Sequence, residues 1–240
     1  MNRYKGLFLL LLLPWCAIKS QNELKSGRLI NNFQFFDTST GQPGISMRTN
    51  IWYKDSLAIE EIIVTKINTD TNHKTTIDCE VMHYVFIDLK TGFFYQYAHF
   101  SDTAKLMSSY RSLKDAKSPQ WLWDFRYNKR AKPIKPLQVL PDTVIAGIVY
   151  QRQKWINDIG RGPYATIKYL RCDLKGLLIT LQKEVGDDSP CPVVISHNQN
   201  KKGTRPENGA NLEFISDKLS EEELSVFDAW EKYAKQHPVQ

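Results

Sequence analysis

Residues 75 to 89, TTIDCEVMHYVFIDL, alternate between two kinds of side chain along their whole length. The odd-numbered positions carry Ile77, Cys79, Val81, His83, Val85 and Ile87. The even-numbered positions between Asp78 and Asp88 are mostly polar. Successive side chains of a strand point to opposite faces, so an alternation of this length indicates a half-buried strand of an antiparallel sheet. This segment predicts a mainly β (α+β) fold.

A short link, LKTG, joins this segment to a second strand-like run, FFYQYAHF (93–100). Gly92 suits such a link because glycine accepts the positive φ that tight turns require. We therefore predict a β-hairpin, in which Asp88 and Lys90 shape the turn and have no catalytic role. The alternation leaves two sets open for the inward face of the second strand: Phe93, Tyr95, Tyr97 and His99, or Phe94, Gln96, Ala98 and Phe100.

Further segments have the composition of strands. They are residues 45–53, 60–68, 142–155, 164–172 and 177–185, the last two forming a second hairpin across DLKG. Residues 103–116 fit either a short helix or an irregular crossing, and the prolines of 133–141 predict an extended surface segment. The polar stretch 197–211 is predicted to be a long loop.

The end of the chain changes to helical spacing, and a helix is predicted at about 217–236. Ser220 and Glu223 form a capping-box pattern, which marks a helix start. Leu224, Phe227 and Trp230 then fall on one helical face. This apolar face is predicted to pack on the protein's own sheet, with docking on a partner as the alternative.

The first twenty residues have the layout of a secretory signal peptide: Arg3 and Lys5, an apolar run over 7–13, and a short polar exit. We expect cleavage before Gln21 and a secreted or periplasmic protein; the alternative is a lipoprotein attached at Cys16. No later segment is apolar enough to span a bilayer. The predicted organisation is a signal peptide (1–20), an N-terminal extended segment (21–44) and a single β-rich domain (45–240).

The charge balance argues against a nucleic-acid partner. The whole chain has 32 Lys and Arg against 26 Asp and Glu, for a formal net charge of +6. Removal of the signal peptide lowers that charge further, and a nucleic-acid binder usually carries a basic stripe. The mixed aromatic and basic segment 121–130 could instead bind a sugar or an acidic lipid head group, or could cover the core.

The cysteines and histidines predict no metal site and no cofactor. Cys79 and His83 lie four residues apart on a strand, about 13 Å, whereas metal–ligand bonds measure about 2 Å. Export permits disulfides, and Cys172 with Cys191 could close a loop; buried unpaired thiols are the alternative. No nucleophile elbow, P-loop or zinc-protease motif is present, so a hydrolase would have to lack a recognisable motif.

Three segments together resemble a known group: FIDLKTGFFYQY (86–97), DTVIAGIVYQRQKW (142–155) and YLRCDLKGLLITLQKE (169–184). They are similar to secreted Bacteroidota proteins of unknown function, namely the GLPGLI family and related proteins with the lipoprotein-carrier (LolA-like) half-barrel. The chain departs from that pattern at Ile148 and Gln151, where tyrosine and cysteine are expected, and 173–178 lacks the motif's proline. The resemblance implies an antiparallel sheet curled around a helix or an apolar cavity, with no catalytic residues.

These observations predict a non-catalytic binding module of the cell envelope, for a hydrophobic or lipid-like ligand. A structural or protein-interaction component of the envelope is the alternative, and a hydrolase is the second alternative. The predicted ligand-binding residues line the central hairpin: His83, Val85, Phe93, Tyr95, Tyr97 and His99. Alternatively, the same side chains fill a solid core against the C-terminal helix.

Overall fold

The computed structural model describes residues 25–37, 40–69, 71, 75–111, 138–158, 163–181, 189–199 and 206–238. The predicted signal peptide, Cys16 and the aromatic–basic segment 121–130 lie outside these residues.

The described chain is mostly β, as predicted, with a single α-helix at its C-terminal end. The elements are β1 Ser26–Phe36, β2 Pro43–Lys54, β3 Leu57–Thr69, β4 Thr75–Asp88, β5 Phe93–Tyr97, β6 Leu106–Arg111, β7 Gln138–Ile145, β8 Ile148–Asp158, β9 Pro163–Leu170, a 3-10 turn Cys172–Leu174, β10 Val193–Gln199, β11 Pro206–Ser216 and α1 Glu221–Gln236. The strands form one antiparallel, 11-stranded sheet in the order β6-β5-β4-β3-β2-β1-β11-β10-β9-β8-β7, which is not closed into a barrel.

The first and last strands of the chain meet in the middle of this sheet. β1 pairs with β2 on one side and with β11 on the other, for example Asn31 with Thr49 and with Leu212. β1 comes from the segment 21–44 that was predicted to precede the domain, so the sheet begins before residue 45. The two halves of the sheet, β2–β6 and β7–β11, are therefore joined along β1.

The sheet buries side chains on both faces. We call one the core face; its apolar cluster includes Leu29, Ile51, Val85, Ile87, Phe94, Leu170, Val193 and Leu212. We call the other the helix face; it carries Trp52, Ile59, Phe86, Tyr95 and Tyr97, which pack against α1.

The helix α1 has the predicted capping box. Ser220 Oγ accepts from the Glu223 amide at 3.2 Å, and the Glu223 carboxylate accepts from the Ser220 amide at 2.8 Å. Its buried side chains are Val226, Phe227 and Trp230, so Val226 takes the place predicted for Leu224. Trp230 stacks on Tyr97 with ring centroids 3.9 Å apart. The prediction that the helix packs on its own sheet is thus confirmed.

The central hairpin turns as the sequence predicted. Asp88 Oδ1 accepts from the Lys90 and Thr91 amides at 2.9 and 3.3 Å, and Asp88 Oδ2 accepts from the Thr91 hydroxyl at 2.6 Å. Gly92 has φ 79°, in the left-handed region that favours glycine. Asp88 therefore stabilises a turn.

Four sequence predictions need correction. The 103–116 segment contributes strand β6, not a helix or an irregular crossing. Residues 142–155 are not one strand but part of the β7–β8 hairpin, because Ala146 and Gly147 adopt φ 48° and 79° and reverse the chain. Residues 177–181 are not a strand. The predicted loop 197–211 contains the end of β10 and the start of β11. β7 includes Pro141, which the sheet tolerates because β7 is an edge strand with a bulge there.

Candidate functional site

The core face combines an apolar region with buried polar residues. Asn31, Glu60, His83, Thr166, Lys168 and Ser196 are all less than one-tenth exposed. Burial of polar groups is costly unless they are hydrogen-bonded. A set of this kind, inside an otherwise apolar face, is therefore the feature of the sheet that most resembles a binding site.

Asn31 and His83 lie at the same level of the sheet. The row Leu29–Ile51–Glu60–Val85 crosses β1 to β4 through direct pairs. Asn31 and His83 each lie two residues beyond this row in the same direction, about 7 Å along the strands. In the other direction the next row is apolar and includes Ala58, Ile87 and Phe94.

Between these two residues the sheet splits. β2 and β3 pair only from Ile51 with Glu60 to Lys54 with Leu57. Beyond that point the Glu61 carboxylate accepts from the Asn50 backbone amide at 3.0 Å and from its side-chain amide at 2.7 Å. A side chain thus takes the place of a strand partner beyond the Ile51–Glu60 pair.

Both residues present buried polar atoms that lack a partner among the described residues. These atoms are Asn31 Oδ1 and His83 Nε2, and the Tyr53 hydroxyl on the same face is a third. Asn31 and His83 are each 4% exposed. Buried polar atoms in native proteins are nearly always hydrogen-bonded, so each of these atoms is able to bond a group brought by another molecule.

The charges on the core face are placed asymmetrically. Glu60, which pairs with Val85, is the ionisable neighbour of His83 on β3, and Lys168 lies on β9 with its ammonium 4.8 Å from the Trp155 ring centre. Burial lowers the pKa of His83, so its imidazole is neutral at pH 7. The His83 end of the face therefore carries no positive charge from that ring.

The predicted ligand-binding residues divide between the two faces. His83 and Val85 lie on the core face. Phe93, Tyr95 and Tyr97 lie on the helix face, because Phe86 pairs with Tyr95 and Tyr84 with Tyr97. His99 follows β5 and is exposed. Of the two sets left open, Phe94 and Gln96 share the face of Val85, whereas Phe100 stacks on Trp52 on the helix face.

A β-bulge explains why the odd positions of 75–89 do not share one face. Ile62 pairs with His83 but Ile63 pairs with Val81, so Met82 is an extra residue in β4. One extra residue moves the following side chains to the opposite face. Val81 is consequently on the other face from His83 and is 46% exposed, and the prediction that it shares the inward face is wrong. The side chain of Ile77 is outside the described part of the structure.

A disulfide fixes the chain that packs on the apolar end of the core face. Cys172 and Cys191 are bonded, with Cα atoms 4.5 Å apart, while Cys79 is free and exposed. Between the bonded cysteines, Ile179 and Leu181 join the same apolar cluster as Leu29 and Val85. The Leu181 amide donates to the Val193 carbonyl at 2.8 Å, which holds this segment beside β10.

The described residues contain neither a cluster of metal ligands nor a membrane-spanning helix. No three His, Cys, Asp or Glu side chains among them lie close enough together to hold a metal ion. In the same part of the chain, no helix is both long and apolar enough to cross a bilayer. No protein-family model matches the chain, and a search of curated proteins finds no match.

Sequence reasoning missed Asn31, because it assigned residues 21–44 to a segment outside the domain. The available signal was the alternation of Leu29, Asn31 and Phe33, which places an amide in a row of apolar side chains.

Proposed function

We propose that this protein is a non-catalytic binding module of the bacterial cell envelope, which holds a lipid-like ligand on the core face of its open sheet. The observation that carries the proposal is the pair of buried polar atoms, Asn31 Oδ1 and His83 Nε2, on the face that carries the apolar cluster. Small-molecule sites commonly combine apolar walls with a few convergent polar groups. An amphiphile offers both parts, an apolar chain and a polar end.

The fold is consistent with this proposal. The sheet is antiparallel and open, and the resemblance to the LolA-like half-barrel proteins implies an antiparallel sheet curled around a helix or an apolar cavity. Export to the envelope would follow from the signal peptide. Fold alone does not establish function, so the proposal rests on the site.

Native mass spectrometry of the mature chain, purified gently from its own host, tests the proposal. The expected result is a fraction of the protein carrying a non-covalent mass that organic extraction identifies as a lipid. A protein that is free of bound lipid, and that does not take up an uncharged environment-sensitive probe such as Nile red, would contradict it. N-terminal sequencing of the same material identifies the first residue of the mature chain, which is predicted to be Gln21.

A second candidate, an interaction component of the envelope, is favoured by the β7 edge. Val139, Val144 and Val149 are 74%, 64% and 57% exposed there. Exposed apolar side chains beside an edge strand are typical of protein contacts. The same mass spectra discriminate, because a stoichiometric protein partner in place of a lipid supports this second function.

A further inference from the structure

The end of the β7–β8 hairpin is apolar throughout. Residues 144–149 read VIAGIV and contain no charged or hydrogen-bonding side chain. We call these residues the hairpin tip. Two cross-strand pairs close the tip around a two-residue turn: Val144 with Val149, and Ile145 with Ile148.

The hairpin tip exposes apolar side chains on both of its faces. Val144 and Val149 are 64% and 57% exposed and lie on one face, because directly paired residues share a face. Ile145 is 42% exposed on the other face. A Cβ built on Gly147 would meet no atom within 4 Å, so the described part of the chain leaves open space around the turn. A flat protein surface covers one face of a hairpin, whereas an acyl layer surrounds both faces and the turn.

The turn keeps an apolar residue where its backbone favours a polar one. Ala146 and Gly147 both have positive φ, 48° and 79°, as in a type I′ turn. Asn or Asp is preferred at the first position of such a turn, because these residues tolerate the left-handed region better than other residues with a Cβ. Alanine therefore has a conformational cost here, but it leaves the end of the hairpin free of polar side-chain atoms. An apolar environment around the turn accounts for this choice of residue.

Charged side chains begin just behind the hairpin tip. Asp142 and Arg152 are the first charged residues behind it on β7 and β8. Arg171 lies 5.9 Å from the ring centre of Tyr150 and forms an ion pair with Asp173. Acidic and basic groups thus balance at the base of the tip and favour neither sign of lipid head group. From this level to the turn, each strand extends about 10 Å, which matches the depth of about 5 to 10 Å that interfacial segments reach in a bilayer.

We propose that the hairpin tip inserts into the acyl layer of a lipid surface. This inference is independent of the ligand on the core face, and it assigns Val144 and Val149 to a lipid contact instead of the protein contact of the second candidate function. The side chains of the tip hold about as much hydrocarbon as one myristoyl chain, which gives reversible binding with a constant on the order of 10⁴ M⁻¹. Because the charges at the base balance, zwitterionic phosphatidylcholine is a sufficient lipid.

Co-sedimentation of the folded mature chain with phosphatidylcholine vesicles tests the proposal. We expect about half of the protein to be bound at about 0.1 mM accessible lipid. The double variant Val144→Thr with Val149→Thr replaces two methyl groups by hydroxyls and should weaken binding about 10-fold. Val81→Thr is the matched control, since Val81 is 46% exposed on β4, away from the tip. This control should bind vesicles as wild type does.

Ala146→Asn separates a role in lipid contact from a role in the turn. Asn suits the left-handed backbone better than Ala, so the melting temperature should equal that of wild type or exceed it. The added amide would enter the acyl layer, so vesicle binding should weaken about 10-fold. Weaker binding by an equally stable protein excludes unfolding as the cause.

A fluorescent label measures insertion of the turn directly. An environment-sensitive NBD label on Ala146→Cys, in a Cys79→Ser background that removes the free thiol, should shift its emission to the blue when vesicles are added. The control is the same label on Lys105→Cys in the same background. Lys105 is exposed just before β6, at the opposite end of the sheet from the hairpin tip, and its label should show no shift.

Two results overturn the proposal. One is wild-type protein that does not sediment with vesicles; a protein partner that Ala146→Asn releases in native mass spectra would then assign the tip to a protein contact. The other is vesicle binding that neither Ala146→Asn nor the double threonine variant changes, which places the contact on another surface. Neither result bears on a lipid held by the core face, because native mass spectrometry of Ala146→Asn detects such a lipid separately.

Discussion

Tyr97 lies in the contact between the sheet and α1. Two substitutions of this residue should have different effects on the free energy of unfolding. Its ring is 1% exposed and stacks on Trp230 with an interplanar angle of 8°. Its hydroxyl is buried without a partner among the described residues, and burial raises its pKa above the usual range. The ring should therefore stabilise the fold, and the hydroxyl should not.

Tyr97→Ala removes a buried aromatic ring of about 200 Å², worth about 5 kcal/mol at 25 cal/mol per Å² as an upper bound. Measured truncations of large aromatic residues cost about 3 to 5 kcal/mol. We expect a loss of about 4 kcal/mol in the free energy of unfolding. Tyr97→Phe keeps the stack and removes only the hydroxyl, so we expect stability equal to wild type or higher by up to about 1 kcal/mol.

Urea unfolding followed by far-ultraviolet circular dichroism measures both changes. With a slope of about 2 kcal/mol per molar, Tyr97→Ala should lower the midpoint by about 2 M at an unchanged slope. Lys235→Ala is the control: this side chain is 72% exposed and forms an ion pair with Glu231, also on α1. Its removal should change stability by less than about 0.5 kcal/mol. A Tyr97→Phe variant less stable by about 1 kcal/mol or more would refute the reasoning, because the hydroxyl would then have a partner.

Three further predictions concern the core face and its surroundings. Burial raises the pKa of Tyr53 from 10.0 to about 12, so Tyr53 ionises at lower pH in the unfolded state than in the folded state. The urea midpoint of the protein should therefore fall as the pH rises from 10 towards 12. Tyr53→Phe should make this fall less steep, and an equally steep fall would show that Tyr53 is not its cause. Replacing both Cys172 and Cys191 by serine opens a loop with a sequence separation of 19 and should cost about 3 kcal/mol in the same unfolding assay, whereas an unchanged midpoint would show that the bridge constrains nothing. Gly27→Ala would place a Cβ 2.4 Å from the Ser216 carbonyl oxygen, and we expect a loss of about 1 to 3 kcal/mol, which a melting temperature equal to wild type would exclude.

Much of the fold follows from sequence pattern because the physical signals are local. Alternation located β2, β3, β4 and β5, and the capping box located the start of α1 within a few residues. The Asp88 turn was equally readable, since glycine and aspartate act there through their own backbone preferences. The sequence does not predict the boundary between two strands where that boundary depends on the backbone conformation of a single residue. Ala146 at φ 48° divides a run that reads as one strand.

The candidate site was only half predictable because it depends on register. A one-residue shift exchanges the two faces of a strand, and neither the Met82 bulge nor the phase of β5 relative to β4 is encoded in the alternation itself. His83 and Val85 were therefore placed together, while Tyr95 and Tyr97 proved to face α1. Asn31 lies level with His83 through the successive pairs of β1 with β2, β2 with β3 and β3 with β4, and no local pattern specifies the register of those pairs.

The central position of β1 also determines the order in which the molecule can assemble. The side-chain hydrogen bond from Asn32 in β1 to Glu213 in β11 joins residues 181 positions apart in the sequence. Of the described strands, β11 is the last to be synthesised. In a partly folded chain in which β11 has not yet paired with β1, the β1 edge of the sheet exposes unpaired amides and carbonyls. Such an edge promotes aggregation. Closing so long a loop is entropically slow, so the final pairing of β1 with β11 should limit the folding rate. A circular permutant opened between β6 and β7, with the end of the chain after α1 linked to Ser26, would bring β11 close to β1 in sequence and should fold faster than the natural chain.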